Sequence, residues 1–159
     1  MVGTEAERLP NIAQRVVEEG HEVGSHTFAH LDHRAIEPHE AVADMTQGAE
    51  AIARAVGFEP PLYRAPYGYF VPATIEEAKR RGWTCVSWSA VGFDWEEEAT
   101  PRSVADRVLE GVEPGAIVLL HDSRRSKPMD PEPVIGATAI LLEEFDRRGL
   151  KAMTVGEML

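Results

Sequence analysis

Ala116-Ile117-Val118-Leu119-Leu120-His121-Asp122 is the stretch on which the fold turns. An unbroken apolar run from Ala116 to Leu120 describes a strand buried on both faces, which is the habit of parallel sheets. It stops at a histidine and an aspartate, two groups with chemistry of their own. Parallel strands need helical crossovers between them, so the flanking segments must read as helices. Downstream, Pro133 to Arg148 is a long helix stopped by Gly149, and Leu150 to Val155 reads as a last strand. Upstream, Thr100-Pro101 is an N-cap followed by a proline at the first helical position, opening a helix that runs to Leu109.

The alternation continues toward the N-terminus. Trp83 to Trp88 is β-branched and aromatic enough for a strand, and Pro72 to Arg81 is a helix closed by Gly82. Leu62 to Arg64 is extended. From Pro38 to Val56 the apolar positions Val42, Met45, Ala49, Ile52, Ala53 and Val56 keep a helical period, ended by Gly57. Glu22 to Ser25 is a short strand, preceded by a helix from Leu9 to Glu19 with Pro10 in its first turn and Gly20 as its stop. Strands separated by helices of this length give an α/β class with right-handed crossovers. Ser123 to Pro133 reads as a polar, Pro-rich loop.

Composition sets outer limits. With 159 residues, 43% of them hydrophobic, the chain fits one globular domain spanning 1–159. A formal charge of −11 argues against nucleic acid or an anionic membrane surface as the main partner, because phosphate binding calls for a basic patch. Lys79-Arg80-Arg81 and Arg124-Arg125 read as helix-end and loop charges. Cys85 is the single cysteine, so no intrachain disulfide forms, and its place in Cys85-Val86-Ser87-Trp88 suggests a buried structural thiol. No apolar run is long enough to span a membrane and no signal-peptide pattern opens the chain, which leaves the compartment open.

In an α/β fold, reactive groups gather where strands end. His26 follows the first strand, Arg64-Ala65-Pro66-Tyr67-Gly68 the second, Asp94-Trp95 lies beyond the third and His121-Asp122 ends the fourth. Each has a plainer reading: Arg64 as a surface ion pair, Asp94 as a turn former, Trp95 as a core aromatic, His121 as a histidine at the sheet rim. Their coincidence at four strand ends favours a site. His26 and His30 are four apart, and a helical turn would bring both imidazoles to one face, as a divalent metal requires of its ligands. A third ligand would have to come from elsewhere.

These segments together resemble the polysaccharide deacetylases of the NodB-homology type, carbohydrate esterase family 4. Gly20 to His30 resembles that family's metal-binding histidine motif, Arg64 to Gly68 its third motif, Asp94-Trp95 its fourth and Leu119-Leu120-His121-Asp122 its fifth. The resemblance implies a distorted (β/α) barrel of parallel strands and a metal-dependent hydrolysis of acetyl groups from an N-acetylated or O-acetylated sugar polymer. It also implies roles: His26 and His30 bind a divalent metal, zinc first, with cobalt or nickel as alternatives. His121 is the general acid, supported by Asp94. Leu119 and Trp95 line the acetyl pocket, Tyr67 offers a backbone N–H to the oxyanion, and Arg64 steers the base. His21, His33 and His39 match no position of the pattern.

The chain departs from the family in one respect. The Thr-Phe-Asp-Asp-Gly motif, which supplies a third ligand and the general base, has no counterpart, and no Asp-Asp pair occurs anywhere in the sequence. Met1-Val2-Gly3 resembles the tail of the family's second strand, which implies a domain incomplete at its N-terminus. The expected consequences are weak or absent activity, looser metal binding, and an exposed sheet edge open to self-association. Two other readings stay open. One is a non-catalytic remnant that binds glycan or pairs with a partner. The other is a different metal hydrolase whose third ligand is Asp32 or Asp122.

Overall fold

A computed structural model describes residues 1–123 and 130–159. They fall into two compact units, Met1–Ser87 and Trp88–Leu159. Every strand pairing in them is parallel, so the α/β class holds. Among the described residues no helix is long and apolar enough to cross a membrane.

The first unit is organised by one helix. After two short helices, α1 (Gly3–Arg8) and α2 (Pro10–Glu18), α3 spans Pro38–Val56 and is specified at both ends. Glu37 and Glu40 form a reciprocal capping box at its start, Pro38 sits in the first turn, and Gly57 closes it at φ 88° with its N–H on the Ala53 carbonyl. Ala41, Met45, Gly48, Ala49 and Ile52 repeat at helical spacing and are buried, each large apolar side chain stabilising the fold by about 1.5–3 kcal/mol. Met45 and Ala49 pack with Tyr63, Ala65, Ala78 and Trp83, joining α3 to β1 (Leu62–Tyr63), α4 (Pro72–Arg81) and the residue before β2 (Thr84–Cys85).

β1 pairs with β2 through Leu62–Thr84 and Tyr63–Cys85, and on the other side Ser25 bridges Tyr63. Beyond Ser25 lies Met1, whose ammonium donates to the Gly24 carbonyl while its own carbonyl accepts from His26 N at 2.7 Å. That is the hydrogen-bond pattern of a parallel ladder, so four chain segments lie in the order Met1, Ser25, β1, β2.

The second unit pairs β3 (Ala90–Val91) with β4 (Val118–Leu119) and packs them against α5 (Pro101–Gly111) and α6 (Glu132–Arg147). Thr100 and Ser103 form the capping box that starts α5. Val104, Ala105 and Val108 of α5 meet Ala137 and Leu141 of α6 around Ala90.

Several expectations need correction. Met1 pairs in the ladder and Gly3 N still reaches the Thr27 carbonyl at 2.8 Å, but α1 begins at Gly3, a helix the Leu9 to Glu19 reading missed. Gly3 is there because a Cβ would lie 2.8 Å from Phe28 and 2.9 Å from the Gly48 Cα. The strand over Trp83 to Trp88 shrinks to β2, and a separate β3 carries the chain to Asp94. Cys85 is exposed, not buried: Val86 is the buried member of that run. Leu150 to Val155 forms no strand. It lacks the alternating burial that a half-buried strand needs, Lys151, Ala152 and Met153 all being exposed. Of the loop expected over 123–133, residues 124–129, with Arg124 and Arg125, lie outside the described residues, and α6 starts within its far end.

Candidate functional site

Four of the eight singled-out residues, His26, His30, Arg64 and Tyr67, belong to the first unit. Asp94, Trp95, Leu119 and His121 belong to the second.

In the first unit the two imidazoles do meet, with ring centroids 4.7 Å apart and planes at 81°. The helical turn invoked from their spacing is absent. Residues 26–30 are an irregular loop in which Thr27 and His30 both hold positive φ, 66° and 50°. The loop lies directly on α3, where a Cβ at Gly48 would stand 2.2 Å from the Thr27 carbonyl carbon. Gly48 is therefore what lets backbone pass against backbone.

His26 Nδ1 lies 2.8 Å from the Arg64 carbonyl oxygen, which only accepts, so the nitrogen donates and the tautomer is fixed. Nε2 is left carrying the lone pair. Burial is the largest influence on this ring and pushes its pKa down to about 4; the bond to Arg64 opposes it, and electrostatic interaction with His30, the N-terminus and Arg64 adds to the depression. The imidazole is neutral at pH 7. His30 donates its backbone N–H to Thr27 Oγ1 at 3.0 Å, and its ring packs edge-on to Tyr67 with centroids 4.9 Å apart.

Tyr67 occupies a single 3₁₀ turn, Pro66–Gly68, at φ 57°, an uncommon conformation for a tyrosine. Bonds from Gly68 N to the Ala65 carbonyl and from Tyr69 N to the Pro66 carbonyl hold the turn. Arg64 is half-buried and donates to the carbonyls of Val86 and Ser87, at 3.4 and 3.2 Å; burial lowers its pKa.

The second unit holds an Asp–His dyad. Asp94, buried just after β3, accepts the His121 ring Nδ1–H at 3.0 Å on one oxygen and the His121 backbone N–H at 2.7 Å on the other. Ring and backbone are gripped by one carboxylate, which sets both the tautomer and the orientation of the imidazole. His121 Nε2 is the nitrogen left for chemistry. Trp95 stands edge-on to His121 with centroids 5.1 Å apart; it is exposed and is no core aromatic. Leu119 is buried on β4.

Among the described residues no group of three or more His, Cys, Asp or Glu comes together to hold a metal. Neither alternative third ligand forms part of such a group. Asp32 is forked by Arg34 Nε and Nη2 at 2.9 and 2.7 Å, which hold its pKa down to about 2, and Asp122 is exposed. The donor set present is the imidazole pair.

Sequence reasoning missed Asp44 and gave no role to His33. Asp44 is buried on α3 and collects N–H groups from the histidine loop, while the buried His33 donates Nε2–H to it at 3.1 Å. A signal existed: Asp44 falls in register with Ala41, Met45 and Gly48 on the apolar stripe of α3, where a carboxylate needs partners.

The sequence pattern of the family described as Polysaccharide deacetylase matches residues 1–86. A peptidoglycan-N-acetylglucosamine deacetylase of Bacillus cereus is 32% identical over 161 residues, covering 100% of this chain and 73% of its own. A chitooligosaccharide deacetylase of a Bradyrhizobium species is 33% identical over 159 residues, covering 95% and 72%. Among solved structures, the Bc1960 peptidoglycan N-acetylglucosamine deacetylase superposes with a TM-score of 0.90 at 25% identity, over 99% of this chain and 72% of that one. A carbohydrate esterase family 4 pseudoenzyme from Bacillus anthracis superposes at 0.85 with 21% identity, over 98% and 52%, a likeness of fold alone.

Proposed function

The chain belongs to the polysaccharide deacetylase family, and from that premise we propose that it acts on acetylated oligo- or polysaccharides by metal-assisted hydrolysis of the acetyl group. We take residues 1–159 as its deacetylase-like domain. The observation that carries the reading is the meeting of His26 and His30, with His26 Nδ1 committed to a carbonyl. A neutral imidazole so engaged offers Nε2 to a cation, which is the arrangement that metal-ligating histidines adopt. The pair fits two positions of a hydrolytic ligand set, for zinc first and for cobalt or nickel as alternatives.

When bound, the ion supplies Lewis-acid polarisation of the acetyl carbonyl and a water of lowered pKa. The remaining roles fall to this chain. His121, its Nδ1–H held by Asp94, gives a proton from Nε2 to the departing amine or alkoxide. The Tyr67 N–H, presented by the strained turn, stabilises the oxyanion, and Trp95 and Leu119 receive the acetyl methyl. Arg64 holds its charge by the Val86 and Ser87 carbonyls, the position from which a carboxylate base would be steered, and these 159 residues carry no Asp-Asp motif to supply that base. N-acetylglucosamine of peptidoglycan and chito-oligosaccharide are the substrates to try first, since those appear in the names of the relatives.

No Asp-Asp pair occurs among these 159 residues, and that favours weak turnover by the chain alone. Loss of general base catalysis costs about 10²–10⁴ in rate. The same fact supports a second reading, a non-catalytic remnant of the fold that binds glycan or pairs with a partner along a sheet edge.

The test is metal content together with acetate release on N-acetylated chito-oligosaccharides. His26→Ala and His30→Ala are expected to lose bound zinc, and the unaltered chain to turn over well below about 1 s⁻¹. Unchanged zinc by elemental analysis in both variants refutes the metal assignment. Turnover at or above that rate refutes the weak-activity reading, and glycan binding without any acetate release establishes the second.

A further inference from the structure

The histidine loop is held by a residue that has no place among the roles above. Asp44, one helical turn before Gly48, gathers three successive supports of the loop. Its backbone carbonyl accepts from Phe28 N at 2.8 Å, Oδ1 from Ala29 N at 2.6 Å, and Oδ2 from Leu31 N at 3.4 Å. The amide skipped in this series is that of His30, which goes to Thr27 Oγ1 instead. The backbone N–H groups of the two residues that flank His30, Ala29 and Leu31, are therefore held by one carboxylate. His33 adds a fourth bond from its Nε2, and with side-chain exposures of 0% and 4% this pair lies away from water.

Such a clamp has a physical task. Thr27 and His30 are non-glycine residues at positive φ, a conformation costing on the order of 1–3 kcal/mol each and kept only where the surroundings over-determine it. If His30 relaxed toward an ordinary helical or extended backbone, the flanking N–H groups would turn away from Asp44. That would leave a buried charge short of its donors. The unfavourable backbone and the favourable carboxylate contacts are thus tied to each other, and the direction of the His30 ring follows.

We propose that Asp44 is the positioning residue of the imidazole pair: its carboxylate holds His30 in the left-handed conformation that sets its ring against His26. Asp44 is not a ligand in this proposal, because its oxygens are engaged by the loop and by His33. The value of that geometry to a metal rests on the function proposed above; the grip of Asp44 on His30 does not.

Two variants of the full chain separate these. Asp44→Asn keeps the shape but replaces one acceptor oxygen with a donor, so it fails to serve Ala29, Leu31 and His33 together. Asp44→Glu keeps the charge and moves it by a methylene; it carries the test if Asp44→Asn does not unfold cooperatively. In metal-free protein, proton NMR reads the His26–His30 ring contact, and amide exchange reads Ala29 and Leu31. Titration with cobalt(II) chloride then reads affinity from the visible absorbance. Expected for both variants are loss of the ring-to-ring contact, exchange at Ala29 and Leu31 faster by about tenfold or more, and cobalt affinity weaker by about 10–100-fold, with amides of β3 and β4 unchanged.

Ring contact, protection and cobalt affinity all retained in both variants would overturn the proposal, whatever their stability. A wild-type chain that binds no cobalt refutes the metal reading instead, and the ring contact and amide exchange still decide the role of Asp44.

Discussion

Acidification of the metal-free chain should destabilise it through one identifiable group. The His26 ring has an ordinary pKa of 6.5, pushed down to about 4 in the folded chain chiefly by burial. Protonation therefore favours the unfolded chain. Sign and window follow from linkage: the contribution is fully present above about pH 6.5 and is lost as the pH falls toward 4. At about 1.36 kcal/mol per pKa unit, a depression from 6.5 to 4 is worth on the order of 3 kcal/mol. About two-thirds of that is gone by pH 5, where ordinary carboxylates have barely begun to protonate.

The assay is urea unfolding at closely spaced pH values from 7.5 to about 4 with a chelator present, on wild type and on His26→Asn, which fills the place without titrating near neutrality. Subtracting the two curves removes the carboxylates common to both. Wild type is expected to lose about 2 kcal/mol more than the variant between pH 7 and 5. If both proteins show the same pH dependence over that interval, the burial and tautomer argued for His26 are wrong.

Three further outcomes are expected. Gly48→Ala places a methyl 2.2 Å from the Thr27 carbonyl carbon and 2.5 Å from Phe28 N, so α3 and the loop must separate; a loss of about 1–3 kcal/mol in urea unfolding checks it. Asp94→Ala strands the His121 backbone N–H and ring N–H that Asp94 now accepts, costing about 1–3 kcal/mol, or roughly 2–9 °C in Tm by calorimetry. Cys85, exposed on β2, should be alkylated by a maleimide without denaturant, read by mass; protection comparable to a buried thiol contradicts its placement.

The family was legible because its signals are contiguous. Gly20 to His30, Arg64 to Gly68, Asp94-Trp95 and Leu119 to Asp122 can each be read without knowing where the others lie, and the match to residues 1–86 bears out the first two segments' lineage. The geometry within each segment was another matter. The dyad of Asp94 and His121 joins residues 27 apart in sequence, and their double hydrogen bond exists only because β3 and β4 run parallel in the Ala90–Val118 register.

By itself the sequence determined the helices α3 and α4, and the class that follows from them. Glu37, Pro38, Glu40 and Gly57 write both ends of α3 within its own segment, and Pro72 and Gly82 do the same for α4, since caps and prolines act over a single turn. The strands escaped, because a two-residue strand is defined by its neighbour's carbonyls and not by its own side chains. Tertiary structure alone decided how His26 and His30 meet. Their spacing suggested a helix, yet the chain takes two left-handed residues there. The reason lies some fifteen residues away: Gly48 admits the loop against α3, and Asp44 supplies the acceptors that keep it in a conformation local preference disfavours.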